Sequence, residues 1–303
     1  MKQKKVIAIG EVLVDLISTN FVNELSEAKS YQVFQGGSPA NFCGNLLWLN
    51  TQAELIATVG NDGLGYFLLN QIKQIGINTD RIHVEKGIPT SLILVGKTKG
   101  TPDFLAYRMA DKFIKIANMN WLEDASVLHT SAFALSLEPA RTIILEAISL
   151  ASKNGITISV DWNYAEEIWT AGGGQNVFTE LIKYNPMLKF SLDDYCRFSG
   201  LNQASAEDAK DFLNGFQLDF CCLTCGAEGV WYRHKNENWI FEEAKPISRI
   251  ADTTGAGDAF WAGFISGWLE FNSIQEGISR GLNIAAKKVE TLGPLYLSRN
   301  IPI

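Results

Sequence analysis

The chain has 303 residues, 47% of them hydrophobic and 19% charged, a balance suited to packing around a core rather than remaining disordered. A formal net charge of -7 argues against nucleic acid or an anionic membrane surface as a partner, and no apolar run approaches transmembrane length. The lysine-rich start leads into an apolar run too short for a signal peptide, and the 5 cysteines (Cys43, Cys196, Cys221, Cys222, Cys225) are odd in number and scattered, so reduced thiols and a cytoplasmic location are expected.

Val6 to Ile9 is a short apolar run ended by Gly10, as in a central parallel strand. Glu11 and Asp15 follow at its C-terminal end, where open α/β sheets place their ligands; Asp15 is either a ligand-holding carboxylate or a solvated turn residue. The pattern from Thr19 to Gln35 is irregular apart from a strand-like run, Tyr31 to Phe34. Next comes Gly36-Gly37-Ser38-Pro39-Ala40-Asn41, a glycine-rich entry to a helix with Pro39 near its first position and Phe42, Cys43, Leu46, Leu47 and Leu49 facing inward. Such an entry offers N–H groups and the Asn41 amide to a polar ligand, although a Gly-Gly turn before a helix is also ordinary punctuation.

Leu55 to Val59 reads as a strand, Gly60 to Gly65 as a turn, and Tyr66 to Ile75 as a helix closed by Gly76. Thr90 to Lys97 and Phe104 to Arg108 form an expected hairpin about Lys99-Gly100-Thr101-Pro102, an appendage within a βα series. Gly96-Lys97-Thr98 resembles the end of a P-loop, but Ser91 stands where its first glycine belongs. Strands at Ser126 to His129 and Thr157 to Val160, with helices at Glu138 to Ser152 and near Asn176 to Lys183, restore the alternation of a doubly wound sheet. Phe220 to Thr224 is a buried-type strand, so the C-x-x-C spacing of Cys222 and Cys225 reads as core packing. Val230 to Tyr232 and Trp239 to Phe241 suggest another hairpin, and Gly281 to Thr291 a last helix.

The chemistry concentrates in Asp252-Thr253-Thr254-Gly255-Ala256-Gly257-Asp258, followed by apolar residues at helical spacing. A helix start has N–H groups without intrahelical acceptors and carries partial positive charge; glycines there let a phosphate reach the backbone. A carboxylate in such a cradle repels phosphate unless it takes a proton from the hydroxyl attacking it. The plainer alternative is a tight turn whose Asp258 complements the helix dipole. A dinucleotide fingerprint fails, because Phe260 occupies the position of its third glycine.

The Gly36 to Asn41 and Asp252 to Asp258 strings resemble the N- and C-terminal signatures of the ribokinase-like (PfkB-type) carbohydrate kinases, and Ala57-Thr58-Val59-Gly60-Asn61-Asp62-x-x-Gly65 is similar to the segment following the first signature. The resemblance runs through most of the chain in family order and is most similar to bacterial fructokinases. It implies an α/β, mostly parallel, doubly wound sheet with helices on both faces and a small β lid, all in a single domain 1–303 with lid segments about 12–35 and 88–112. It also implies transfer of the ATP γ-phosphoryl group to a sugar hydroxyl, with Asp258 as general base and the backbone of Gly255, Ala256 and Gly257 holding the phosphoryl charge. Asp15, Gly36, Gly37, Asn41, Tyr107 and Arg108 would meet the sugar, although Arg108 reads equally as a surface residue. Thr224, Gly226, Gly229, Thr254, Gly255, Gly257 and Asn283 would meet the nucleotide, Asn283 having the alternative of a solvated helix position. Mg2+ would accompany ATP, with Asp194 reaching it through water; Asp252 is a candidate for a monovalent cation such as K+. A homodimer through the lid is the family's pattern.

Two departures stand out. Ala165, after Asp161-Trp162-Asn163-Tyr164, replaces an arginine suited to acidic or phosphorylated sugars, and Ser191 and Asp194 replace an Asn-x-x-Glu group. Fructose is the first expectation; ribose, 2-keto-3-deoxygluconate, a nucleoside, or a non-catalytic sugar- or nucleotide-binding regulator are the alternatives.

Overall fold

The computed structural model describes residues 4–97, 103–116, 120–169, 172–235, 237–291 and 293. In chain order the elements are β1 (Lys5–Ile9), β2 (Leu13–Phe21), β3 (Tyr31–Gly36), α1 (Ser38–Trp48), β4 (Gln52–Gly60), α2 (Gly63–Ile75), β5 (Ile82–Glu85), β6 (Leu92–Lys97), β7 (Asp103–Tyr107) and β8 (Ala125–Ser131). They continue with α3 (Ala132–Leu135), α4 (Ala140–Lys153), β9 (Thr157–Asp161), α5 (Gly174–Ile182), β10 (Met187–Ser191), α6 (Leu192–Ser199), α7 (Ala206–Asn214), β11 (Phe220–Thr224), β12 (Gly229–His234), β13 (Ile240–Glu243), α8 (Ala256–Phe271) and α9 (Ile274–Val289).

A nine-stranded sheet runs β13-β12-β11-β10-β9-β8-β1-β4-β5, parallel except for the antiparallel edge hairpin β12–β13. Val6, Ile7, Ala8 and Ile9 are each fully buried, because β1 has helices over both faces and need not alternate with polar residues. Successive side chains still point to opposite sides. Ile7 and Ile9 enter the core that includes Ile144 and Phe178 of α4 and α5, whereas Val6 and Ala8 enter the core built with Phe42 of α1 and Phe264 of α8. Each such side chain contributes roughly 1.5–3 kcal/mol on burial. The chain leaves β1 toward β4 and β5, then returns to β8 on β1's other side, so strand order reverses at β1 and opens a crevice at the carboxyl ends of β1 and β8. Gly10 and Glu11 emerge there.

A second sheet, β3-β2-β6-β7, takes its strands from residues 13–36 and 92–107. The Thr19 to Gln35 stretch, irregular by pattern, partly belongs to β2, whose polar Asp15 and Ser18 break the apolar run while its ladder to β3 pairs Asp15 with Phe34 and Ser18 with Tyr31. The expected hairpin strands pair as β6 and β7, Leu92 with Tyr107 through Gly96 with Asp103; Lys99 to Pro102 lie outside the described residues. Helices α6 and α7 were not anticipated, yet both carry a sequence signal: Ser191 with Asp194 and Ser205 with Asp208 form capping boxes. The cysteines are free thiols, with Cys222 fully buried in β11.

Candidate active site

Helix α8 starts with Gly255 as its N-cap at φ 75°, a left-handed conformation open to glycine. The amides of Gly255, Gly257 and Asp258 find no acceptor among the described residues, whereas Ala256 N–H donates to Thr253 O at 3.1 Å. The expectation that Ala256 offers its amide to an anion is therefore corrected: that N–H closes the preceding turn, and the Asp258 amide takes its place in the free set. Thr254 is exposed and gives its N–H to Asp252 Oδ1 at 2.9 Å.

Asp258, in the first turn of α8, turns toward α1. Its Oδ1 accepts from Ser38 Oγ at 2.7 Å and its Oδ2 from Asn41 Nδ2 at 2.9 Å. Asn41 is buried, and its Oδ1 accepts from Gln35 Nε2 at 3.3 Å, so both ends of the amide hold protein partners. Ser38 was overlooked in the sequence; the only trace of it there is its place between Gly37, which caps α1, and Pro39. Asp15, from β2, lies over Gly36: a Cβ on that glycine would fall 2.2 Å from Asp15 Oδ2. No hydrogen bond to the Asp15 carboxylate forms among the described residues, so its oxygens remain available to a ligand.

Burial shapes the titration of the carboxylates here. Burial raises the pKa of Asp258 to about 6, with Asp161 adding to the rise and Ser38, Asn41 and Lys189 opposing it. Burial, then the Asp258 charge, raises Asp15 to about 7. Burial raises Glu11 to about 8 against the pull of Arg108; Glu11 receives Ser38 N–H at 2.9 Å and Ser131 Oγ–H at 3.1 Å across the crevice. Below the loop, Lys189 Nζ lies 2.8 Å from Asp161 Oδ1 and 3.2 Å from where a Gly257 Cβ would sit. Burial works against that ammonium, yet Asp161 and Asp194 outweigh it and raise its pKa.

Arg108 is not a surface residue: its side chain is 6% exposed, paired with Asp111, hydrogen-bonded through Nη1 to Ser136 Oγ at 2.9 Å, and stacked 3.8 Å from the Phe133 ring centroid. Tyr107 is 51% exposed at the end of β7. Asp194 is buried, its Oδ2 accepting from Ser191 N–H and Oγ–H within the α6 capping box, its pKa raised to about 6, first by burial.

On the other side of the loop opens a cavity of about 460 Å³. Thr224, Gly226 and Gly229 form one wall, Pro246, Ile247 and Ile250 a second, and Thr253, Ala256, Gly257 and Phe260 the floor; Leu282, Ala285, Ala286 and Val289 of α9 close it. Thr224, Gly226, Gly229 and Gly257 thus share one chamber, which Thr254 and Gly255 do not line. Asn283 points elsewhere: it is exposed and does not line the cavity, because the inward face of α9 is carried by its neighbours. One loop therefore has a largely apolar chamber on one side and, on the other, a carboxylate held by Ser38 and Asn41.

The model of the pfkB family carbohydrate kinases matches residues 3–299. The chain belongs to this family. It is 32% identical over 298 residues to the ATP-dependent 6-phosphofructokinase of Thermoanaerobacterium thermosaccharolyticum, covering 97% of this chain and 90% of the relative. Among solved structures, Halothermothrix orenii fructokinase superposes with a TM-score of 0.80 at 34% identity, covering 91% of this chain and 98% of that one. The Vibrio cholerae O395 fructokinase double mutant, in its fructose, ADP and potassium ion bound form, gives 0.80 at 23% identity over 97% and 94% of the two chains, a likeness of fold. As a pfkB kinase the chain is a phosphotransferase with a hydroxyl acceptor, and its family uses ATP and a metal ion. Among the described residues no helix is long and apolar enough to cross a membrane.

Proposed function

We propose that this protein is an ATP-dependent fructokinase. The observation that carries the reading is the Asp258 carboxylate, held by Ser38 and Asn41 beside free amides at the start of α8. A sugar between Asp15 and Asp258 would give its hydroxyl proton to Asp258; its oxygen bonds to the γ-phosphorus as the bond to the ADP oxygen breaks. With a pKa near 6, Asp258 is mostly ionised at neutral pH yet basic enough to receive that proton. The Gly255, Gly257 and Asp258 amides would hold the charge on the transferred group, and the apolar cavity would hold the base of the nucleotide. The β3-β2-β6-β7 sheet is the lid, excluding water over the sugar.

Mg2+ bound to ATP would neutralise charge between its phosphates. Among the described residues no group of three or more His, Cys, Asp or Glu could hold a metal, which fits an ion kept by phosphates and water, with Asp194 anchoring a bound water. A second reading, phosphorylation of fructose 6-phosphate, draws on the 6-phosphofructokinase relative. Against it, Glu11, Asp15 and Asp258 surround the sugar side, Arg108 is engaged by Asp111, and position 165 is alanine.

The deciding experiment is a sugar panel with ATP: fructose, fructose 6-phosphate, ribose, 2-keto-3-deoxygluconate and a nucleoside, with the product identified. Fructose should give the highest kcat/KM; a preference for fructose 6-phosphate would reject the reading. Asp258→Asn should lower kcat by about 10²–10⁴ while leaving the KM for ATP nearly unchanged.

A further inference from the structure

Lys288 sits in the last turn of α9 and is 1% exposed, an unusual place for so strongly hydrated a charge. Among the described residues no carboxylate forms an ion pair with it. Its ammonium instead donates to two main-chain carbonyls, Asp252 O at 2.9 Å and Thr291 O at 3.4 Å. These oxygens come from separate chain segments that converge at the end of α9, the end of a helix that carries partial negative charge.

The surrounding bonds show what this charge organises. The N–H groups of Ala251 and Asp252 both reach Val289 O, at 2.9 and 3.2 Å. Asp252 Oδ1 accepts from Thr254 N–H at 2.9 Å and Oδ2 from Gly293 N–H at 3.0 Å. Asp252 opens the run that ends in the free amides of Gly255, Gly257 and Asp258, so its position sets theirs. Neutral carbonyl oxygens converging from non-contiguous backbone are the donor set that a monovalent cation takes, and here a side-chain ammonium already uses them. The sequence led to K+ beside Asp252, and two of the carbonyls there are taken by this ammonium.

We infer that Lys288 is a built-in monovalent cation, its ammonium fixing Asp252 and the phosphate loop so that no dissolved K+ is required. For its activity arm the inference rests on the sugar kinase reading, and a second arm does not. In the first, kcat is measured at equal ionic strength in potassium, sodium and tetramethylammonium chloride. The wild-type rate should agree across the three within about twofold, whereas Lys288→Ala should lose about tenfold in tetramethylammonium and recover, saturably, with K+ or NH4+. In the second, the full chain without substrates is melted in the same salts. The wild-type midpoint should ignore the exchange of tetramethylammonium for K+; that of Lys288→Ala should be lower and rise with K+ or NH4+, as binding to the folded state requires.

Activation or thermal stabilisation of the wild type by K+ would overturn the inference, as would a folded Lys288→Ala with no response to either cation. Should Lys288→Ala fail to fold, the wild-type salt series and Lys288→Met, which keeps the apolar volume, decide. Failure to phosphorylate any sugar would reject the fructokinase reading and leave the melting arm to judge Lys288.

Discussion

A carboxylate can act as base for a sugar hydroxyl only if its environment lifts its pKa without leaving it protonated at working pH. Asp258 meets this because burial and Asp161 push it up while Ser38 and Asn41 hold it back, leaving it near 6. The charged groups facing it are Asp15 from β2, Asp161 from β9, Lys189 from β10 and Lys288 from α9. With Asp258 as the proposed base the active form is the anion, so kcat should fall as pH drops through about 6, as a pH–rate profile would show. Asp15, raised to about 7, is mostly protonated where Asp258 titrates, so the neutral Asp15→Asn variant should leave the acidic limb near 6. A limb that moved to lower pH would mean that Asp15 is already charged where Asp258 titrates.

Among elements, α8 and α9 form the support that aims Asp258. Their approach is close because glycines face the contact: a Cβ on Gly281 would lie 2.7 Å from Phe260 O, and one on Gly263 would lie 2.8 Å from the Gly281 Cα. Gly281→Ala must therefore push the helices apart. It should cost about 1–3 kcal/mol of stability, measured by denaturant unfolding, and should also lower kcat because the displaced helix carries the proposed base. Phe260, Trp261, Phe264 and Ile265 line several sides of α8, which is thus buried between the sheet, α1 and α9. Such a helix is held by packing around most of its circumference, and its first turn inherits that rigidity.

Across the whole molecule, the two cores meet the reacting groups through the central sheet. Lys189 and Asp161, 4% and 3% exposed, join β10 to β9 below the phosphate loop. Lys189→Met leaves the Asp161 carboxylate buried without its partner and should destabilise the protein by about 3–5 kcal/mol in equilibrium unfolding. The double variant Lys189→Met with Asp161→Asn removes both charges and should regain most of that loss. An additive double variant would show that the two side chains act independently.

Local sequence determined the elements with strong periods and the two glycine-rich helix entries, because periodicity, turn residues and free helix-start amides are short-range properties. It also singled out Asp258 and Gly257, and grouped Thr224, Gly226 and Gly229, which line one cavity. Tertiary structure alone decided that Ser38, 220 residues away in sequence, meets Asp258, that Ala256 spends its amide on Thr253, and that Arg108 turns inward to Asp111 while Asn283 faces solvent. It alone brought Lys288 to the carbonyl of Asp252. The reason is physical: a helix start is encoded by neighbours within one turn, but a side chain's partner across the crevice depends on sheet order and helix packing, which the whole chain settles together.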